Sequence, residues 1–271
     1  MKPRRKIGLA LGSGGARGWA HIGVIRALKR MGFEPDIVTG TSIGALIGAM
    51  LAAERFDAFD REISELSPVK LAKFFTEIHL PQAGLLGGKP IIEWLEASHL
   101  LGALTFANLK KPFAAVATDL YREHAVVITE GSVTQAVRAS ISIPGVFDPV
   151  VRNGVVLVDG GLVDPVPVRA ARQLGAEVVI AVDINTLLPE EKILATGEAV
   201  EAPSMIATLL QTMRMIENVG CRVMLERDAP EILIRPAAGH LNTLDFNAGK
   251  SLISAGEAAV AAVKTELEQW L

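Results

Sequence analysis

Short apolar runs alternate with amphipathic stretches along most of the chain, the rhythm of strands and helices taken in turn. Lys6–Leu11 predicts a short buried strand. It passes into the small-residue loop Gly12-Ser13-Gly14-Gly15 and then a helix with Ile22, Ile25 and Leu28 on roughly one face, ended by Gly32. Asp36–Thr39 predicts a second strand, followed at once by Gly40-Thr41-Ser42-Ile43-Gly44. Ala45–Ala53 is apolar all round, as a buried helix would be. Later strands are predicted at Phe113–Thr118, Ala125–Thr129, Val155–Val158, Val178–Val182 and Ile232–Ile234, and helices at Ser132–Ala139, Val168–Leu174, Ser204–Glu226 and Ala248–Trp270. Strand, loop, helix, strand, tight turn, helix is the signature of a parallel sheet with crossovers, so the expected class is α/β.

Two regions fit this pattern poorly. Arg55–Leu109 holds Phe74-Phe75, Leu85-Leu86, Trp94 and Leu100-Leu101, broken by Pro81, Gly84, Gly87-Gly88 and Pro90, and reads as a helical insertion over one end of the sheet. Leu187–Pro203 is polar and acidic and reads as a mobile loop. At 271 residues the chain suits one α/β domain. Within it, residues 7–168 would form a core and 169–271 would complete the sheet and its helical layers. A mean hydropathy of +0.35, carried by aliphatics, supplies a sizeable core.

Charge narrows the partners. The net charge of −3 and the scattered Lys and Arg residues give no basic footprint for nucleic acid. Met1–Lys6 is basic, but the apolar run Ile7–Leu11 is too short for a secretory h-region. The apolar runs are also too short to span a membrane, and the single Cys221 fits a reducing compartment; a cytoplasmic location, peripheral at a membrane at most, is expected. No metal-ligand spacing is present, and neither metal nor cofactor is expected.

Three elements carry chemistry. Gly40-Thr41-Ser42-Ile43-Gly44 matches the G-x-S-x-G nucleophile elbow, and its place between a strand and an apolar helix gives the required context. There the turn lifts the Ser42 hydroxyl clear of the sheet. Gly12–Gly18 follows a strand and opens a helix, yet it misses the dinucleotide spacing: read from Gly12, the third glycine position holds Arg17. A Walker loop near Ala248-Gly249-Lys250-Ser251 fails as well, because its upstream glycine is Leu244. A loop of this kind can instead present backbone N–H groups to a developing oxyanion, with Arg17 either orienting it or solvated. Asp159-Gly160-Gly161 ends the strand Val155–Val158, where open α/β sheets place their sites.

The order Gly-rich loop, G-T-S-I-G, then D-G-G resembles the patatin-like phospholipases, above all their bacterial members. Val137–Phe147 is similar to a further segment of that family, so the resemblance covers roughly Ile7 to Val168. It implies a three-layer α/β/α domain with a mostly parallel sheet. It also implies a Ser–Asp dyad without histidine: Ser42 as nucleophile, Asp159 as base, and the N–H groups of Gly14, Gly15 and Ala16 as oxyanion hole. Gly12, Arg17, Gly18, Gly40, Gly44, Gly160 and Gly161 would support these motifs. Ser13 stands where the family often has glycine, and Asp164 reads as a local hydrogen-bonding partner. The implied activity is hydrolysis of an acyl ester or phospholipid through an acyl-enzyme.

Two other readings stay open. Ser42, Asp183 and His240 occur in the order of an α/β-hydrolase triad, although that leaves Asp159-Gly160-Gly161 unexplained. The scaffold could instead serve binding with hydrolysis weak or lost. The apolar insertion suggests a fatty acyl chain and a lid touching a membrane surface, or equally an ordinary core.

Overall fold

The computed structural model describes residues 4–65, 88–185, 203–238 and 248–270. Among the described residues, eight strands form one sheet in the order β5-β6-β3-β2-β1-β7-β8, with β4 paired to β3. Strands β1 (Ile7–Leu11), β2 (Ile37–Thr41), β3 (Phe113–Asp119), β7 (Val178–Val182) and β8 (Ile232–Ile234) run parallel. Strands β4 (His124–Ile128) and β6 (Val155–Asp159) run antiparallel to β3, and β5 (Val150–Arg152) runs antiparallel to β6. The mostly parallel α/β sheet is as expected. Strand β5 was not anticipated, since three residues carry too little pattern to read, and β2 continues to Thr41, beyond the expected Thr39.

Alternation along the strands sorts the side chains into two cores. Ile7, Leu9, Leu11, Val178, Ile180 and Val182 face a large core shared with α1 (Trp19–Arg30), α2 (Ile43–Ala52), α3 (Phe56–Glu65) and α5 (Val133–Ser140). Ala10, Val179 and Ala181 face a smaller core with α6 (Val168–Gln173) and α7 (Met205–Asp228). Helices therefore cover both faces, which is why β1 and β7 are apolar at every position rather than at every second one. Both β7 and β8 come from the stretch after residue 168 and complete the parallel half of the sheet.

Of the expected insertion at 55–109, α3 and the short α4 (Lys89–Leu95) are helical; Phe74, Phe75 and Leu85 lie outside the described residues. Trp94 packs on Phe59 of α3 with ring centroids 5.9 Å apart, and its indole N–H donates to Glu62 at 2.7 Å. Most of the loop expected at 187–203 also lies outside the described residues. The expected C-terminal helix is two, α8 (Gly249–Ala262) and α9 (Lys264–Glu268), separated at Val263, whose φ of −109° and ψ of 17° leave the helical region.

Helices α1 and α8 lie backbone to backbone. A Cβ on Gly256 would come within 2.1 Å of the Ala20 carbonyl oxygen. Replacing it with leucine is expected to destabilise the fold by about 2 kcal/mol or more, since overpacking against a main chain has little room to relax. Thermal unfolding measures this; an unchanged midpoint for Gly256→Leu would mean the two helices do not meet there.

Candidate active site

Strand β2 ends by delivering Ser42 into a turn at φ 56° and ψ −122°, a backbone region that non-glycine residues adopt only under strain of order 1–3 kcal/mol. The turn is tight because its flanking glycines close on each other: a Cβ on Gly40 would sit 2.2 Å from the Gly44 carbonyl oxygen. One on Gly44 would sit 2.2 Å from the Leu11 carbonyl oxygen. The Ser42 N–H donates to Ser140 Oγ at 2.8 Å, and that hydroxyl donates to the Val116 carbonyl, so α5 and β3 hold the strained turn. Ser42 is only 4 % exposed.

Register brings Asp159 to the same place. Thr41 of β2 lies opposite Val116, and Asp159 of β6 lies opposite the next residue, Ala117. Because β4 occupies the other edge of β3, β2 and β6 share one edge and meet end to end. Ser42 Oγ donates to Asp159 Oδ2 at 2.5 Å, while Asp159 Oδ1 accepts the Gly161 N–H at 2.8 Å. The main chain of Asp159 is fixed as well: its N–H donates to the Ser142 carbonyl and its carbonyl accepts from Thr118 Oγ1. Gly160 and Gly161 leave no space for side chains, Gly160 lying against the Val116 carbonyl oxygen and Gly161 against Glu217 and Ser13.

Burial pushes the Asp159 carboxyl up to about 7, and the nearby Glu217 adds to the shift; the hydrogen bonds from Ser42 and Gly161 oppose it. A carboxylate ordinarily too weak a base for a serine hydroxyl is thereby brought near neutrality.

Gly14 and Gly15 line the same small space as Ser42 and Asp159, and among the described residues their N–H groups donate to no acceptor. Ala16 is buried and does not line it. Arg17 is wholly buried rather than solvated: Nε donates to the Gly14 carbonyl at 3.0 Å and holds the loop. Its two terminal nitrogens find no hydrogen-bond partner among the described residues, and burial lowers its pKa to about 10. His21 donates from Nε2 to the Gly12 carbonyl at 2.8 Å, and burial holds the ring neutral with a pKa of about 4. It props the loop from behind. Gly18 packs where a Cβ would enter Ile43.

Sequence reading did not foresee that α7 covers the dyad. Leu210, Met213, Arg214 and Glu217 of this helix close the space over Ser42, leaving about 20 Å³ free, roughly room for one water molecule. The carboxylate of Glu217 accepts from Ser13 Oγ and from Asn185 Nδ2, the latter at 3.2 Å. The one available signal was the breadth of apolar positions around Ser204–Glu226, wider than a surface helix needs.

The rival candidates among the described residues have other partners. Asp183 accepts from the Asn185 N–H at 2.9 Å, and its other oxygen faces Arg235. Asp164 accepts from Thr41 Oγ1 through its main-chain carbonyl, so the local hydrogen bond exists but does not use the carboxylate. His99 pairs with Glu62, and His124 is exposed. His79 and His240 lie outside the described residues. Among the described residues no His, Cys, Asp and Glu cluster could hold a metal ion, and no helix is long and apolar enough to cross a membrane.

This arrangement can be set beside known proteins. The family model for patatin-like phospholipase matches residues 9–172. The chain belongs to the patatin-like phospholipase family. It is 38 % identical over 180 residues to an uncharacterized NTE family protein of Mycobacterium tuberculosis, covering 66 % of this chain and 49 % of that one. It is 35 % identical over 188 residues to lysophospholipase NTE1 of Mycosarcoma maydis, covering 67 % of this chain and 10 % of that protein. The chain thus spans about half, or much less, of the length of these curated relatives. VipD from Legionella pneumophila superimposes with a TM-score of 0.66 over 96 % of this chain and 67 % of its own, at 15 % identity, a likeness of fold.

Burying Asp159 has a stability consequence. With its folded pKa raised to about 7 from the ordinary 3.8, the native state holds a proton that the unfolded chain releases, so stability falls as pH rises between those values. Asp159→Asn removes this loss. Its unfolding free energy is expected to exceed that of the wild type at pH 8 by a few kcal/mol, on the order of the linkage shift, and the gap to close towards pH 4. Urea denaturation at both pH values measures the difference.

Proposed function

We propose that the protein is a serine acyl hydrolase acting on lipid esters, with Ser42 as nucleophile and Asp159 as the only general base. The observation that carries this reading is the direct Ser42 Oγ to Asp159 Oδ2 hydrogen bond at 2.5 Å within a nearly closed space. Family membership and the lysophospholipase among the relatives favour a lipid as the source of the acyl group.

In this reaction Asp159 takes the hydroxyl proton while Ser42 Oγ attacks the ester carbonyl carbon. The carbonyl oxygen becomes an oxyanion, received by the N–H groups of Gly14 and Gly15, with Ala16 N–H in the adjoining position. Collapse breaks the carbon–oxygen bond of the ester, and Asp159 returns its proton to the departing alcohol. Water then attacks the acyl carbon as Asp159 takes its proton, the bond from carbon to Ser42 Oγ breaks, and Asp159 returns the proton to Oγ as the acid leaves. The Gly161 N–H on Oδ1 leaves Oδ2 free to face the hydroxyl, so one carboxylate both orients and accepts.

A fluorophosphonate is expected to label wild-type protein at Ser42 and to leave Ser42→Ala unlabelled. Asp159→Asn is expected to lower ester hydrolysis by about 10³-fold, within the usual range for losing a general base. Only ionised Asp159 accepts the proton, so kcat/KM for a neutral ester should rise with pH through about 7 and then level off. Full hydrolysis by Asp159→Asn, or an intact wild type that never labels, would overturn the reading.

A further inference from the structure

The helix that covers Ser42 and Asp159 also carries an exposed apolar face. Met205, Leu209, Ile216, Val219 and Val223 recur at intervals of three, four and seven along α7, which places them on one side of the helix. All five are exposed, Met205 by 84 % and Val223 by 58 %. The inward side of the same helix bears Leu210, Met213 and Glu217, which close over Ser42. Glu217 is its polar fastening, accepting from Ser13 and Asn185 beside the glycine-rich loop.

Along the outer side runs an open groove of about 720 Å³, walled by Leu162 and Val163 on one flank and Ile216 and Val219 on the other. Arg169 lines it together with Asp164 and Glu123, burial pushing the Asp164 carboxyl up to about 7, and Arg222 is exposed one residue before Val223; neither arginine makes an ion pair among the described residues. Apolar stripe and unpaired guanidinium groups together are the chemistry of an anionic lipid surface, where apolar side chains enter the acyl boundary and arginines meet headgroup phosphates.

An acyl ester cannot fit in about 20 Å³, so α7 must leave the dyad before substrate reaches Ser42. We propose that α7 is a lid that docks through this stripe onto an anionic lipid surface, and that docking releases Glu217 from Ser13 and Asn185 and opens the site. Docking favours opening only if the lipid surface binds the open form better than the closed one. The inner residues Leu210 and Met213 are apolar as well, and lipid can cover them once they are freed. This inference rests on the acyl-hydrolase reading above.

The test uses vesicles of phosphatidylcholine alone or mixed equally with phosphatidylglycerol. Wild type is expected to co-sediment with the mixed vesicles, and these should speed fluorophosphonate labelling of Ser42 and hydrogen exchange of the α7 amides. The variant Ile216→Glu/Val219→Glu/Val223→Glu should label at the wild-type basal rate, lose vesicle binding and lose the acceleration. Glu217→Ala should speed exchange of α7 without vesicles by about tenfold or more, the shift expected for losing the hydrogen bonds from Ser13 and Asn185.

Wild type that ignores both vesicles, or whose α7 exchange is unchanged by bound vesicles, overturns the proposal. Equal binding to both vesicle types overturns its anionic preference. A dimer in sedimentation velocity that the triple variant dissolves assigns the stripe to a second copy and overturns the lipid surface. Complete failure to label, with α7 still opening on vesicles, would count against the hydrolase reading alone.

Discussion

Strands β2 and β6 approach one another end to end along a single edge of β3, and both leave the sheet between Val116 and Ala117. This meeting sets the distance between Ser42 and Asp159 without help from any loop of its own. It also explains the four glycines around them, because two chain segments turning away at one point have no volume left for Cβ atoms. Gly160 touches the Val116 carbonyl, and Gly44 touches that of Leu11, so both turns are pressed onto main chain that cannot yield. The hydrogen bonds from Ser42 N–H to Ser140 and from Asp159 N–H to the Ser142 carbonyl then tie both turns to the end of α5 and the residues after it.

Placing the dyad inside the fold has an electrostatic cost that the site uses. Asp159, Glu217 and Arg17 are withdrawn from water, and burial shifts each towards its neutral form. For Asp159 the shift brings its proton affinity close to neutrality. For Arg17 the charge is kept, steadied by Glu217 and Asp183 nearby, and its one hydrogen bond is spent on the Gly14 carbonyl. A guanidinium fastened to that carbonyl fixes the Gly14–Gly15 peptide beside Ser42. His21, neutral because it is buried, steadies the same loop at Gly12.

Helix α7 shuts Ser42 and Asp159 away from bulk water. Its Leu210 and Met213 exclude water, which strengthens every interaction beneath them, and its Glu217 raises the proton affinity of Asp159. One helix therefore raises the proton affinity of Asp159 and closes over it, while its outer side remains apolar and exposed. Cys221 on this helix is buried, which pushes its thiol up and leaves it a packing residue.

Much of this was legible along the chain. Continuous apolar runs at Ile7–Leu11 and Val178–Val182 require burial on both faces, which fixes a layered α/β fold, and the all-apolar helix after Ser42 fixes the elbow's context. Local constraints suffice there because period and turn chemistry act over a few residues. The partnership of Ser42 with Asp159 spans 117 positions, and that of Ser13 with Asn185 spans 172. Such pairings are decided by strand register and helix packing, which no local pattern contains; for Asp159 only the resemblance pointed to the role. The cover was invisible for the same reason. Residues 205–228 were readable as a helix, but the side it turns to Ser42 depends on where the sheet puts β7 and β8, a choice made by the whole core at once.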